Sequence, residues 1–165
     1  MRVLWTLPYL PWPLTSGSKS RQFHLLRGMA QRGHRITLLS QSKVPLGEAA
    51  REALAPLLER LIVLPRRALH SPLNMLAAVS AGYPMRACIN GLAPHLRHEF
   101  EKLLQEHWDV IQIEHSYGFQ PFERALQASG LPFIVSEHQV EWSKGAACQD
   151  RLPLWLRSFN SFDGW

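Results

Sequence analysis

The chain has 165 residues, 46% of them hydrophobic and 19% charged, with a net charge of +5. That length fits one domain, or one domain plus a tail, and buries roughly 70% of the unfolded surface with no need of a disulfide or metal. The apolar content excludes a disordered chain, and with no apolar run near 18 residues a transmembrane helix is not expected.

The N-terminal Met1 to Leu14 is apolar enough to suggest a signal peptide. It carries Pro8, Pro11 and Pro13 and has no small-residue cleavage site, so it is read as a buried strand and a loop. Arg2 to Leu7 is the first predicted strand, ended by the Pro-rich stretch to Pro13. After the small-residue loop Thr15 to Ser18, a helix is predicted over Ser20 to Arg32. Its stripe is Phe23, Leu25, Leu26, Met29 and Ala30, and Gly33 caps its end. Arg35 to Ser40 is the second strand, which makes a βαβ unit with parallel strands and a right-handed crossover.

Glu48 to Arg60 reads as helical, broken at Pro56, and Leu61 to Leu64 as a third strand. Residues 72–82 suggest another helix. A clearer one begins at Pro94, with Leu96, Phe100, Leu103, Leu104 and His107 on one face. Asp109 to Ile113 is the fourth strand, Pro121 to Ser129 a short helix capped by Gly130, and Pro132 to Ser136 the fifth strand. This alternation predicts an α/β fold with a doubly wound, mainly parallel, Rossmann-like sheet. Residues 143–165 carry an apolar cluster, Leu152 to Phe162, with no strand partner. The stop at Gly164-Trp165 looks more like a truncation than a finished domain.

Charge is unevenly placed. Residues 1–70 hold 11 Lys or Arg against Glu48, Glu52 and Glu59, a net of +8; residues 71–165 hold 7 against 10, a net of −3. The basic half reads either as a face that attracts phosphate or anionic lipid, or as an ordinary solvated surface. Nucleic acid is not an expected partner, because the cations form no run and no recognition motif appears. Cys88 and Cys148, 60 residues apart, suit the free thiols of a cytoplasmic protein.

Ligands of a doubly wound sheet sit beyond the carboxyl ends of its strands, and three segments should land there. The first is Ser16, Gly17 and Ser18, followed by Lys19 and Arg21. Gly17 permits close backbone approach, and the helix N-terminus behind it favours a phosphate. The alternative is a plain serine helix cap. The loop is neither G-x-G-x-x-G nor a P-loop, so no NAD or ATP fingerprint is present. The second segment is Glu114, His115 and Tyr117, and the third is Glu137, His138 and Glu141. Each histidine could donate a hydrogen bond or move a proton near neutral pH, or simply be structural. Glu114-His115 and Glu137-His138 place the same chemistry at two adjacent strand ends, where it could grip sugar hydroxyls. The spacing matches no standard zinc motif, and no Ser-His-Asp arrangement is evident.

Several ordered segments resemble the start of family-4-like glycosyltransferases: Pro8 to Pro13, Ser16 to Ser18, His24 to Ala30, Arg32-Gly33-His34 and Ile36 to Leu39. Asp109 to His115 and Glu137 to Glu141 are similar to later strands of the same N-terminal domain. The resemblance covers residues 1–142 and implies one half of a GT-B architecture, the acceptor-side domain, with 143–165 a helical or irregular segment. It implies transfer of a sugar from a nucleotide diphosphate sugar, as co-substrate, to a glycan or lipid-linked acceptor, with retention and with no bound cofactor or metal. It places Ser16, Gly17 and Ser18 against the donor diphosphate and His115 near the reacting sugar. Lys19, Arg21, Glu114, Tyr117, Glu137, His138 and Glu141 stand at the cleft. Gly17-Ser18 replaces the two glycines of many relatives. The family's donor-binding domain is absent from these residues, so the chain alone is expected to be inactive. The expected setting is cytoplasmic polysaccharide synthesis, with peripheral contact at the inner face of an anionic membrane. The alternative is a stand-alone module that binds glycan or anionic membrane without catalysis, with Trp12 and Trp155 as anchors and Trp5 in the core.

Overall fold

Arg2 to Leu7 carry apolar side chains on both faces of an extended backbone, and such a strand is stable only with helices on both sides. The computed structural model describes residues 1–66, 72, 94–115, 118–119 and 122–137. There β1 (Arg2–Leu7) is buried from Val3 onward at the centre of a five-stranded sheet. It pairs in parallel with β2 (Arg35–Ser42) on one side and β4 (Val110–Glu114) on the other. β3 (Arg60–Pro65) and β5 (Phe133–Ser136) form the edges, also parallel, and the order is β3-β2-β1-β4-β5. The winding reverses between β1 and β4, which opens a crevice at their carboxyl ends.

Strand alternation assigns the helices. Val3, Trp5, Leu7, Ile36 and Leu38 pack on Leu26 of α1 (Gly17–Gln31). Leu4, Leu39, Ile111 and Ile113 face the other way, onto Leu96, Phe100 and Leu103 of α3 (Pro94–Leu103) and Leu126 of α4 (Glu123–Ser129). Phe100, from α3, stacks on Phe122 with ring centroids 4.0 Å apart. Each such side chain contributes about 1.5–3 kcal/mol on burial. Between β2 and β3 lies α2 (Glu48–Leu54), which passes at Pro56 into the 3-10 turn Ala55–Leu57, as the proline requires. Gly33 (φ 78°) and Gly130 (φ 65°) take the left-handed conformation at helix ends, where a side chain would be strained.

The structure corrects three readings. α1 begins at Gly17 and not at Ser20, because Ser16 is the N-cap and its hydroxyl accepts the Lys19 N–H at 3.4 Å. Its buried residues are Gln22 and Leu26, while Leu25, assigned to the apolar stripe, is 39% exposed. His107 does not share the buried face of α3. The helix ends at Leu103, whose carbonyl accepts the Trp108 indole N–H at 2.5 Å, and His107 is left in solvent. Trp5 is buried, as expected; Trp12 is half-buried against Phe23, with centroids 5.4 Å apart. The helix at 72–82 apart from residue 72, both cysteines, Trp155 and residues 143–165 lie outside the described residues.

At the amino edge of the sheet, carboxylates neutralise part of the basic half. The Arg2 guanidinium pairs with Glu106 at 3.2 Å and lies over the Trp108 ring, Arg60 pairs with Glu106 at 2.7 Å, and Arg35 pairs with Glu59. Asp109 accepts the Arg2 backbone N–H at 2.7 Å, and that bond, more than any other cause, holds its carboxyl below the usual carboxylate range. Among the described residues no helix is long and apolar enough to cross a membrane.

Candidate active site

The carboxyl edge is where this chain gathers its remaining polar groups. α1 presents its N-terminus there. Its first residues, Gly17 and Ser18, have no intrahelical acceptor for their N–H groups. The Lys19 N–H is already taken by Ser16. A Cβ added at Gly17 would meet nothing within 4 Å, so the approach to these amides is open. α1 has no acid anywhere along its length, while Lys19 and Arg21 lie in its first turns. Dipole and cations therefore act together in favour of an anion.

Beside α1, β4 ends in Glu114, which is 1% exposed. Gln22 of α1 donates to one carboxylate oxygen at 2.6 Å and Gln112 to the other at 2.9 Å. The carboxylate is thereby desolvated yet satisfied, and it ties the helix to the strand. The next residue, His115, has φ 71°, a left-handed conformation that a side-chain-bearing residue adopts at a cost of about 1–3 kcal/mol. Its N–H still donates to the Ser136 carbonyl at 2.8 Å, and its carbonyl accepts the Gly118 N–H at 2.9 Å. These bonds hold the turn.

The buried His115 ring lies between two groups. Nε2 is 3.2 Å from the Tyr9 hydroxyl, and Nδ1 is 3.6 Å from the Glu137 carboxylate, an ion-pair separation when the ring is protonated. With a proton on Nδ1, facing Glu137, Nε2 accepts from Tyr9. The Ser18 side chain also acts on the Tyr9 hydroxyl, in the direction of a lower pKa, so Tyr9 stands between the start of α1 and His115. Burial, and next the negative charge of Glu114, raise the Tyr9 pKa, which keeps its hydroxyl protonated. Such an arrangement can hold an anion at α1 and orient a proton donor or acceptor beside it.

Of the residues read from the sequence, His115 and Glu137 are brought together, and Ser18 acts on Tyr9 beside them. Ser16 and Gly17 form the helix start, Lys19 and Arg21 follow it, and Glu114 is buried behind the histidine. Tyr117, His138 and Glu141 lie outside the described residues. The sequence reading missed Tyr9, hidden in the Pro-rich segment, and Gln22 and Gln112, the two donors to Glu114. A polar residue inside an otherwise apolar helix stripe was the one available signal for Gln22. Among the described residues no group of three or more His, Cys, Asp or Glu is placed to hold a metal.

Residues 16–161 match the glycosyl transferase 4-like domain. The chain belongs to that family. Comparison with curated proteins returned no match. The matched span starts at the α1 N-cap and takes in β4 and His115, while β1 precedes it, and the chain carries a glycosyltransferase-family domain.

Proposed function

We propose that this glycosyl transferase 4-like domain is the acceptor-side half of a GT-B enzyme that moves a sugar, with retention, from a nucleotide diphosphate sugar to a glycan or lipid-linked acceptor. The observation that carries the reading is His115. It is held at φ 71° on the carboxyl edge, with its Nε2 3.2 Å from the Tyr9 hydroxyl and its Nδ1 3.6 Å from Glu137. The Gly17 and Ser18 amides receive the donor diphosphate, and Lys19 and Arg21 attract it. His115 faces the reacting sugar, and Glu137 orients its ring. Tyr117, His138 and Glu141 border the acceptor.

The described residues line one wall of a cleft. Sugar transfer requires donor and acceptor held together and charge stabilised between them, so a second wall with the donor site must complete it. These 165 residues alone are not expected to turn over. Titrating the 15N-labelled chain with pyrophosphate, the part of the donor assigned to this wall, tests the reading. The Gly17 and Ser18 amides should move; amides that stay put refute the diphosphate contact. Intact mass of the native polypeptide should come to about twice 18.9 kDa if the second wall is in the same chain.

A further inference from the structure

The Pro-rich exit from β1 is held on both sides of Tyr9. Pro8, Leu10 and Pro11 are buried, and Arg66, the residue after β3, donates from its guanidinium to the Pro8 carbonyl at 3.0 Å. From this anchored segment the Tyr9 hydroxyl comes to 3.2 Å from His115 Nε2, with the two rings 5.8 Å apart and inclined at 56°. His115 is anchored through its own backbone, where its N–H donates to the Ser136 carbonyl at 2.8 Å. The contact therefore joins two side chains whose main chains are each tied to a neighbouring strand end.

That contact bears on where the imidazole carries its proton. A neutral ring has one N–H and one lone pair, and the partner of either nitrogen fixes the other. At Nδ1 the Glu137 carboxylate stands 3.6 Å away. A proton on Nε2 would leave the Nδ1 lone pair turned to that negative charge, whereas a proton on Nδ1 turns the positive end of an N–H to it. Tyr9 fits the second form. Burial, and next the Glu114 charge, raise its pKa, so its hydroxyl keeps a proton to donate. We propose that Tyr9 is a positioning residue for this site: its hydroxyl donates to Nε2 and holds neutral His115 with its proton on Nδ1. The assignment rests on the place given to His115 in the proposed sugar transfer. In that form Nε2 carries a lone pair, so neutral His115 does not act as an acid through it.

The test is a long-range 1H–15N spectrum of the imidazoles in the 15N-labelled chain, taken at a pH where the rings are neutral and the tyrosines still protonated. His115→Asn, which tolerates a left-handed backbone, assigns the His115 signals among the eight histidines by their loss. Nδ1 should resonate as a protonated nitrogen. Nε2 should resonate as a lone-pair nitrogen, displaced upfield of its free value by the hydrogen bond it accepts. In Tyr9→Phe the Nε2 signal should lose that displacement, and the share of the form protonated at Nε2 should rise. If the variant does not fold, the wild-type Nε2 position decides. A wild-type ring protonated at Nε2, an Nε2 at its free lone-pair value, or ring nitrogens unmoved in Tyr9→Phe overturns the role of Tyr9. Pyrophosphate added to the same wild-type sample keeps the two proposals apart. Movement of the Gly17 and Ser18 amides leaves the diphosphate contact standing whichever nitrogen is protonated, and unmoved amides refute that contact without touching the tautomer.

Discussion

Gln22→Leu isolates the contact that fastens α1 to the crevice. Gln22 is fully buried, and its amide donates at 2.6 Å to a carboxylate that is 1% exposed. Leucine has nearly the same volume, so the loss is electrostatic and creates little cavity. A hydrogen bond to a charged group contributes about 1.5–3 kcal/mol, and a buried acceptor that loses its donor keeps the desolvation cost. The expected destabilisation is about 2 kcal/mol, a large share of the roughly 5–15 kcal/mol that holds a domain folded. Urea unfolding can be followed by the fluorescence of Trp5 and Trp108, 5% and 2% exposed in the fold. The midpoint should fall with an unchanged slope. Glu114→Met removes the acceptor from Gln22 and Gln112 alike, and the double variant should cost less than the two singles added, since Gln22 is then no longer stranded while the Gln112 loss is common to both. A Gln22→Leu cost below about 0.5 kcal/mol, or strict additivity in the double variant, would refute this account of the contact.

His115→Val should destabilise by about 1–3 kcal/mol more than His115→Gly, because only glycine takes φ 71° freely; equal urea midpoints would remove the backbone argument. In the complete enzyme His115→Ala should lower kcat by a larger factor than it raises the donor KM, and an unchanged kcat removes His115 from the reacting centre. Tyr9 has a raised pKa, so its contribution to stability is whole below about pH 10 and is lost as the pH climbs through the folded value; Tyr9→Phe should flatten the alkaline limb of a stability–pH curve. Asp109 has a lowered pKa, so its contribution is present above about pH 4 and fades as the pH falls; Asp109→Asn should flatten the acid limb, and parallel curves would contradict the Arg2 bond. Flotation with phosphatidylglycerol vesicles should carry the chain at low salt and release it at high salt; binding indifferent to salt refutes an electrostatic contact with anionic lipid.

The fold was legible because it is written locally. The largely apolar runs of β1 and β2, Pro56 between α2 and β3, and the glycines at 33 and 130 each act on their own few residues, and five parallel strands follow from their order. What escaped the sequence is non-local. Gln22 sits inside a helix stripe as a polar exception, and its partner Glu114 lies 92 positions away. Tyr9 sits in a Pro-rich exit from β1, and its contact with His115 spans 106 positions. The 3.6-residue period carried His107 onto the buried face of α3, because nothing in that period records that the Trp108 indole would close the helix at Leu103.

Placement of charge turns the two edges of the sheet to different uses. At the amino edge Arg2, Arg35 and Arg60 are matched by Glu59 and Glu106, so much of the basic surplus of the first half is cancelled there. At the carboxyl edge both signs remain, and Tyr9 feels the Glu114 carboxylate as well as the Arg21 cation. The cations and the dipole start on α1, with no acid on that helix, whereas Glu114 and Glu137 stand at the ends of β4 and β5. The helix start favours an anion, and the carboxylates can accept from a neutral hydroxylated group. The proposed assignment of diphosphate to α1 and sugar to the histidine side follows from that arrangement. Exchanging it, with Lys19→Glu together with Glu137→Lys, should cost donor binding even where the fold is intact.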